Sequence, residues 1–250
     1  KLRKEEEMKR IFDLLKKQSP SRIIALGFGA VILTGAILLM MPFSVKKGVH
    51  LSFLNALFTS TSAVCVTGLV VVDTADSFTA IGQMVIAMLI QIGGLGIASV
   101  GVGLIIAAGK RVSIKSRLMV KEALNVDTYH GMVRLVRIVL AITLGFEAAG
   151  AIISFFVFRK DYSPLHAVGI SIFHSIAAFN NAGFDNLGGM HNLIPYKDNI
   201  LLNITTDVLV IVGGIGFLVL VDIVKQKSFK KLCLHSKVAI SMTAVLLIGG

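Results

Sequence analysis

Two short windows of the chain share one pattern and stand about 115 residues apart. Residues 57–69 read LFTSTSAVCVTGL, and residues 172–184 read IFHSIAAFNNAGF. Each window precedes a long apolar stretch that carries Gly-Gly-x-Gly, at residues 93–96 and 213–216. Such self-similarity indicates an internal repeat. Because the segment in each window is too short to cross a bilayer, the pattern predicts membrane hairpins in which a loop enters the membrane and returns to the same side.

The composition fits an integral membrane protein. Hydrophobic residues make up 55% of the chain, compared with about 45–50% in ordinary soluble domains. The second of the apolar stretches is longer than one perpendicular crossing requires, so we expect it to tilt or to extend beyond the bilayer. The sequence therefore predicts an all-α integral membrane protein built from repeated hairpins. Four stretches are long enough to span a bilayer as helices: residues 23–41, 78–108, 137–158 and 200–224.

The net charge of +11 is divided along the chain, with most Lys and Arg in residues 1–22, 110–137 and 225–237. The positive-inside rule places these zones, and the N-terminus, in the cytoplasm. Basic charge split by apolar spans does not favour nucleic-acid binding. The alternation predicts a cytosolic N-terminal segment (1–22), a first repeat (23–109), a cytosolic linker (110–133), a second repeat (134–225), and a linker with the start of a third repeat (226–250).

The short segments 51–62 and 164–177 are predicted to be helices whose carboxyl ends point to the membrane centre. The partial negative charge at such an end favours a cation. Gly68 and Gly183 occupy matched places where φ above zero is accessible. The alternative for each short segment is a helix that lies on the outer membrane surface. The alternative for Gly68 and Gly183 is that they are ordinary turn residues. Rings of backbone carbonyls can replace the hydration shell of K⁺, and we expect extended residues with carbonyls turned to one axis: Cys65, Val66, Thr67, Gly68, Asn180, Asn181, Ala182 and Gly183.

Glu147 lies inside the third apolar stretch, where an acidic residue is costly and normally faces protein or water. Small neighbours (GFEAAGA) indicate tight packing. We therefore prefer a buried anchor, which holds the second loop through hydrogen bonds to backbone N–H groups, over an ion-attracting charge.

Other polar and glycine positions have two interpretations each. Gln91 and Asp207 are interpreted as satisfied helix-packing groups rather than ion ligands. The glycine pairs lie inside apolar helices and are not phosphate-binding loops; they permit either a bend or the close approach of another helix, and we favour close approach. Three acids follow the windows on the outer side and either concentrate cations or only solvate the loops: Asp73, Asp76 and Asp185.

The segments TSAVCVTGLVVVDT, IQIGGLGI and FNNAGF closely resemble the potassium-transport membrane subunits of the Trk/Ktr/HKT superfamily, and most of all the bacterial KtrB-type (NtpJ-like) subunits. The resemblance implies four repeats of helix, pore loop and helix in pseudo-fourfold arrangement around one pore, with one filter glycine per loop at Gly68 and Gly183. It also implies K⁺ uptake across the bacterial plasma membrane, often Na⁺-dependent, by a homodimer under a cytosolic nucleotide-binding KtrA-like ring.

The interpretation that follows is a K⁺-conducting membrane subunit with a filter of backbone carbonyls. One alternative is a secondary cation transporter with an occluded site, such as a Na⁺/K⁺ symporter, and another is a membrane scaffold without transport. The sequence contains no catalytic constellation and no metal-ligand spacing, so we expect a non-enzyme whose only metal is the transported ion.

The charge asymmetry gives a first testable prediction. Cysteines placed at Lys47 and Lys197 should react with a membrane-impermeant thiol reagent in intact cells, and cysteines at Lys115 and Lys227 should react only after the cells are opened. Labelling of position 115 but not of position 47 in intact cells would contradict this orientation and the outside-entering loops.

Overall fold

The computed structural model describes residues 19–109, 111–123 and 131–249. These residues form helices and no strand, which confirms the predicted all-α class. Parts of the predicted cytosolic segments, residues 1–18, 110 and 124–130, lie outside the described residues. The α-helices are α1 (Pro20–Met40), α2 (Phe53–Cys65), α3 (Thr74–Ser77), α4 (Ala80–Leu95), α5 (Ile97–Ala107), α6 (Ile114–Ala123), α7 (Met132–Phe158), α8 (Pro164–Phe179), α9 (Ile200–Gly214), α10 (Phe217–Gln226) and α11 (Leu234–Gly249). Two short 3₁₀ helices cover Ile194–Tyr196 and Phe229–Lys231.

Two straight helices are long and apolar enough to cross a membrane, at Ser21–Met40 and Met132–Phe158. Helix α1 has Pro20 in its first turn, where the missing N–H costs nothing. The helices that follow these spans are α2 with 13 residues and α8 with 16. At 1.5 Å per residue neither can cross about 30 Å of hydrocarbon, as the sequence predicts.

The other two long apolar stretches are bent rather than straight. Helices α4 and α5 meet at 104°, and α9 and α10 meet at 95°. The stretches 78–108 and 200–224 are therefore each two helices joined at a bend rather than one continuous helix. The breaks lie at Gly96 and Gly216, whose φ values of 78° and 97° are accessible to glycine and strained for other residues.

The glycine pairs before each break provide close approach. Gly93 lies against the Val64 carbonyl and Gly213 against the Phe179 carbonyl, so that a Cβ at either glycine would overlap the oxygen. Gly94 lies against the Asn180 side chain in the same way. The Gly-Gly-x-Gly motif thus combines both interpretations: the first two glycines admit the ends of α2 and α8, and the last glycine breaks the helix.

The two hairpins repeat the same internal contact. The Ser60 hydroxyl donates to the Ile32 carbonyl at 2.7 Å, and the Ser175 hydroxyl donates to the Glu147 carbonyl at 2.7 Å. Ser175 lies 115 residues after Ser60, and Glu147 lies 115 residues after Ile32, which is the offset of the repeat. Helix α4 of the first hairpin also packs against α8 of the second, and Phe173 of α8 belongs to the buried core that α1, α2 and α4 form.

The close approach at Gly213 predicts a specific cost. Gly213→Ala should lower the melting temperature of the detergent-solubilised protein, because the new Cβ would displace the Phe179 carbonyl and with it the end of α8. Gly101→Ala is the matched control, since nothing lies within 4 Å of a Cβ at Gly101. Alanine is favoured over glycine in a helix by about 1 kcal/mol, so this variant should melt at the same temperature or higher. Equal melting of both variants and the parent would show that Gly213 is not close-packed.

Candidate functional site

The first loop, residues 65–68, begins where α2 ends in a Schellman motif. The Thr67 N–H donates to the Ser62 carbonyl at 3.0 Å, and the Val66 N–H donates to the Ala63 carbonyl at 3.4 Å. Val66 occupies the left-handed region at φ 55° and ψ 45°, a position that usually holds glycine. A β-branched residue there is an outlier, and such strain is concentrated at functional sites.

The second loop, residues 180–183, repeats this ending. The Ala182 N–H donates to the Ala177 carbonyl at 2.8 Å, and the Asn181 N–H donates to the Ala178 carbonyl at 3.0 Å. Asn181 has φ 56°, at the position that matches Val66. The two loops therefore share one backbone conformation although their sequences differ.

The loops are not extended throughout, which corrects the expectation from sequence. Cys65 is the last residue of α2, and Asn180 has φ −81° and ψ 1°. Positive φ recurs at every second residue, at positions 66 and 68 and again at 181 and 183. Within the described residues, the carbonyls of residues 66–68 and 181–183 accept no hydrogen bond. These oxygens lie just beyond the carboxyl ends of two helices, where the helix dipole places partial negative charge.

Gly68 and Gly183 bring the loops together. A Cβ on Gly68 would lie 3.0 Å from the Ala182 carbonyl oxygen and 3.2 Å from the Gly183 Cα. A Cβ on Gly183 would lie 3.0 Å from the Gly68 Cα. Both glycines also have positive φ, at 70° and 69°. Glycine is therefore favoured at each position for two independent reasons: the positive φ of the backbone and the close approach of the other loop.

Glu147 contacts the second loop through the side chain of Asn180 and not, as expected from the sequence, through backbone N–H groups. Its exposed fraction is 7%, and its Oε1 accepts a hydrogen bond from Asn180 Nδ2 at 3.1 Å. The same Nδ2 lies 3.1 Å from Gln91 Oε1 and 2.9 Å from the Ile176 carbonyl. Helices α7 and α4 therefore meet the start of the second loop at one amide group.

Three acids beyond the loops have structural contacts. Asp73 accepts the Met190 N–H at 2.8 Å, and Asp76 accepts the Gly189 N–H at 3.0 Å. Asp185 accepts the Leu187 N–H at 3.0 Å. Burial raises the pKa of Asp185 above its usual range, and the nearby Asp73 raises it further. Asp73 and Asp76 thus connect the first hairpin to the loop that follows residue 187.

Gln91 and Asp207, two other polar residues of the long apolar stretches, differ in their contacts. Gln91 is only partly satisfied: its Oε1 accepts a hydrogen bond from Asn180 Nδ2 at 3.1 Å, while its buried Nε2 has no hydrogen-bond partner among the described residues. Asp207 is exposed on α9 and makes no hydrogen bond with the described residues, so the expected packing partner is not found there. Two contacts were not anticipated: the Ser62 and Thr67 hydroxyls lie 2.9 Å apart in the first loop, and Asn181 Nδ2 donates to the Val210 carbonyl at 3.2 Å.

Comparison with known proteins assigns the chain to a class. Residues 15–246 match the family described as TrkH, cation transport protein, and the chain belongs to this family. It is 41% identical to the potassium/sodium uptake protein NtpJ of Enterococcus hirae over 94% of this chain and 52% of that protein. It is 41% identical to Ktr system potassium uptake protein B of Bacillus subtilis over 91% of this chain and 50% of that protein.

A third relative, Ktr system potassium uptake protein B of Vibrio alginolyticus, is 36% identical over 94% of this chain and 51% of that protein. The chain thus spans about half the length of the curated relatives that it matches. The family and the apolar helices together define a bacterial membrane protein of the cation transport class.

The contact of Glu147 with Asn180 predicts unequal effects of two substitutions. Glu147→Gln should retain most of the thermal stability, because the amide oxygen still accepts the hydrogen bond. Glu147→Ala should destabilise the protein by about 1–3 kcal/mol, the cost of an unpaired buried polar group. Melting of the purified variants measures both. If the two variants melt like the parent and lose ion affinity to the same extent, Glu147 acts as an ion-attracting charge.

Proposed function

We propose that the chain forms part of a membrane subunit of a bacterial K⁺ uptake system, and that K⁺ passes through a filter of backbone carbonyls at the two loops. One observation carries the proposal: two glycine loops meet beyond two helix ends, and their carbonyls are not hydrogen-bonded to the described residues. The printed names of three relatives describe potassium uptake, which supports K⁺ as the ion.

The proposed mechanism exchanges water for protein oxygens. A K⁺ ion that enters from the outside loses hydration water and gains carbonyl ligands, which is favourable only where several oxygens converge. The dipoles of α2 and α8 add partial negative charge at the same point without a formal charge that would trap the ion. The proposed ligands are the carbonyls of Cys65, Val66, Thr67 and Gly68 in the first loop and of Asn180, Asn181, Ala182 and Gly183 in the second.

The filter requires more than two loops. Two loops line only part of a ring, so we propose that further hairpins of the complete protein close a pseudo-fourfold pore. The basic segments would lie in the cytoplasm and the loops would enter from outside, in agreement with the charge pattern. A homodimer of membrane subunits and a cytosolic nucleotide-binding ring as the gating partner are part of the same proposal, supported by the words "Ktr system" in the names of two relatives.

A second candidate is Na⁺-coupled transport of K⁺ through an occluded site. The observation that favours it is the printed name of one relative, which includes both potassium and sodium uptake. In that case K⁺ uptake would depend on Na⁺, whereas a flux far above about 10³ ions per second, the upper range of typical turnover, would favour a channel-like pore.

The filter glycines provide the decisive experiment. Gly68→Ser and Gly183→Ser should each raise the apparent KM for K⁺, because a Cβ at positive φ costs about 1–2 kcal/mol and would also press on the opposite loop. That penalty corresponds to about five- to thirtyfold in an equilibrium constant. Uptake is measured with and without Na⁺ in cells that lack their own K⁺ uptake systems, at matched membrane expression of the complete protein.

The control is Gly101→Ser, which has open space around a Cβ and should leave the KM for K⁺ unchanged. Unchanged affinity and unchanged K⁺/Na⁺ discrimination in both loop variants would show that these loops are not the filter, and the proposed function would fall.

A further inference from the structure

We propose that Gln91, a residue of the first hairpin, is a positioning residue for the second loop and acts through Asn180. The inference rests on the proposed filter function and assigns a residue outside both loops to it. Gln91 lies on α4, and Asn180 follows α8. The conformation of one loop would then depend on the neighbouring hairpin.

The hydrogen bonds converge on a single NH₂ group. Asn180 Nδ2 has two protons and three acceptors within reach: Gln91 Oε1 at 3.1 Å, Glu147 Oε1 at 3.1 Å and the Ile176 carbonyl at 2.9 Å. Since an amide nitrogen donates at most two ordinary hydrogen bonds, the acceptors share its protons. The side chain of Asn180 is thereby fixed at the residue immediately before the left-handed turn at Asn181.

Helix α4 has a glycine where the side chain of Asn180 packs against it. Gly94 stands one helical turn after Gln91, and a Cβ on Gly94 would overlap the Asn180 side chain. Glycine at this place lets the amide approach the helix, and Gln91 supplies the acceptor beside it. The α4 backbone and the Gln91 side chain therefore meet the same group from one direction, while Glu147 meets it from α7.

Packing alone does not hold the two acceptor side chains, Gln91 and Glu147. A largely apolar cavity of about 620 Å³ lies between α4, α7 and α8, and both Gln91 and Glu147 line it. A side chain that borders a cavity lacks neighbours on that side to fix its rotamer. On the cavity side, Gln91 and Glu147 are therefore held by their hydrogen bonds to Asn180 rather than by packing, and the three side chains fix one another.

The first loop has no counterpart of this arrangement. At the positions 115 residues earlier, Cys65 replaces Asn180 and Ile32 replaces Glu147. The first loop is braced instead by its own Ser62 and Thr67 hydroxyls, 2.9 Å apart, where the second loop has alanines at 177 and 182. The loss of Gln91 should therefore disturb the second loop and leave the brace of the first intact.

The test compares two glutamines on one helix. Gln83 Oε1 accepts a hydrogen bond from Asn186 Nδ2 at 3.0 Å, so it makes the same amide contact between the hairpins but at a residue beyond the loop. Gln91→Leu should raise the KM for K⁺ about five- to tenfold, the equivalent of about one hydrogen bond, and weaken K⁺/Na⁺ discrimination. Gln83→Leu also removes the hydrogen bond from Gln83 Nε2 to the Phe78 carbonyl at 3.2 Å, so it should lower the melting temperature at least as much as Gln91→Leu, with an unchanged KM.

A double variant tests whether Gln91 acts through Asn180. Because Gln91 acts through Asn180, Gln91→Leu added to Asn180→Leu should change the KM no further than Asn180→Leu alone. Additive effects on the KM would show that Gln91 acts independently of Asn180 and would overturn the proposal. If Gln91→Leu does not reach the membrane, Gln91→Met, which is apolar and of similar length, replaces it in the same comparisons.

The remaining outcomes separate this inference from the filter itself. If Gly183→Ser raises the KM for K⁺ and Gln91→Leu does not, the filter stands and the positioning role falls. If Gln91→Leu and Gln83→Leu raise the KM equally, Gln91 contributes only general stability and the positioning role falls as well. If Gly68→Ser, Gly183→Ser and Gln91→Leu all leave affinity and discrimination unchanged, the proposed function fails and this inference fails with it.

Discussion

The structure depends on a contact between backbones: the carbonyl ends of α2 and α8 lie against glycines of α4 and α9. A helix that ends inside a membrane leaves carbonyls without partners, in a place where water cannot reach them unless a channel is present. Schellman hydrogen bonds satisfy some of these groups. Gly93 and Gly213 then allow the longer helices to reach the Val64 and Phe179 carbonyls. The position of both loops follows from this approach, because each loop begins within two residues of the contact.

The two hairpins show how one backbone design tolerates different side chains. Left-handed residues, Schellman bonds and a glycine recur at matched positions in both loops. The braces differ, with a hydroxyl pair in the first loop and amide contacts to α4, α7 and α9 in the second. A duplicated unit can diverge in this way because backbone conformation is constrained by glycine and chain geometry, whereas a hydrogen bond to a loop can come from any neighbouring element.

The sequence predicted the features that spacing encodes. The repeat, the two helices too short to cross, and the matched Gly68 and Gly183 follow from periodicity and segment length. A bend was only the less favoured interpretation of the glycine motifs, because Gly96 and Gly216 occur in uninterrupted apolar runs, in which composition does not distinguish a straight helix from a broken one. Val66 is not extended, contrary to the expectation from sequence. A β-branched residue rarely occupies the left-handed region, but Val66 does so within the Schellman hydrogen bonds that end α2. The link from Glu147 to Asn180 joins residues 33 positions apart, which no local pattern reveals.

The placement of charge bears on how the proposed pore would attract an ion. The charge pattern predicts Asp73 and Asp76 on the outer side, and both carboxylates accept backbone N–H groups of the loop at 189 and 190. Glu147 is buried and hydrogen-bonded to Asn180. The groups that meet at Gly68 and Gly183 themselves are neutral backbone atoms, and the carboxyl ends of α2 and α8 lie just before them in the chain. Conduction requires binding that is favourable enough for entry and weak enough for release. Partial charges meet that requirement better than a carboxylate in a medium of low dielectric constant, where a full charge would hold a cation too tightly.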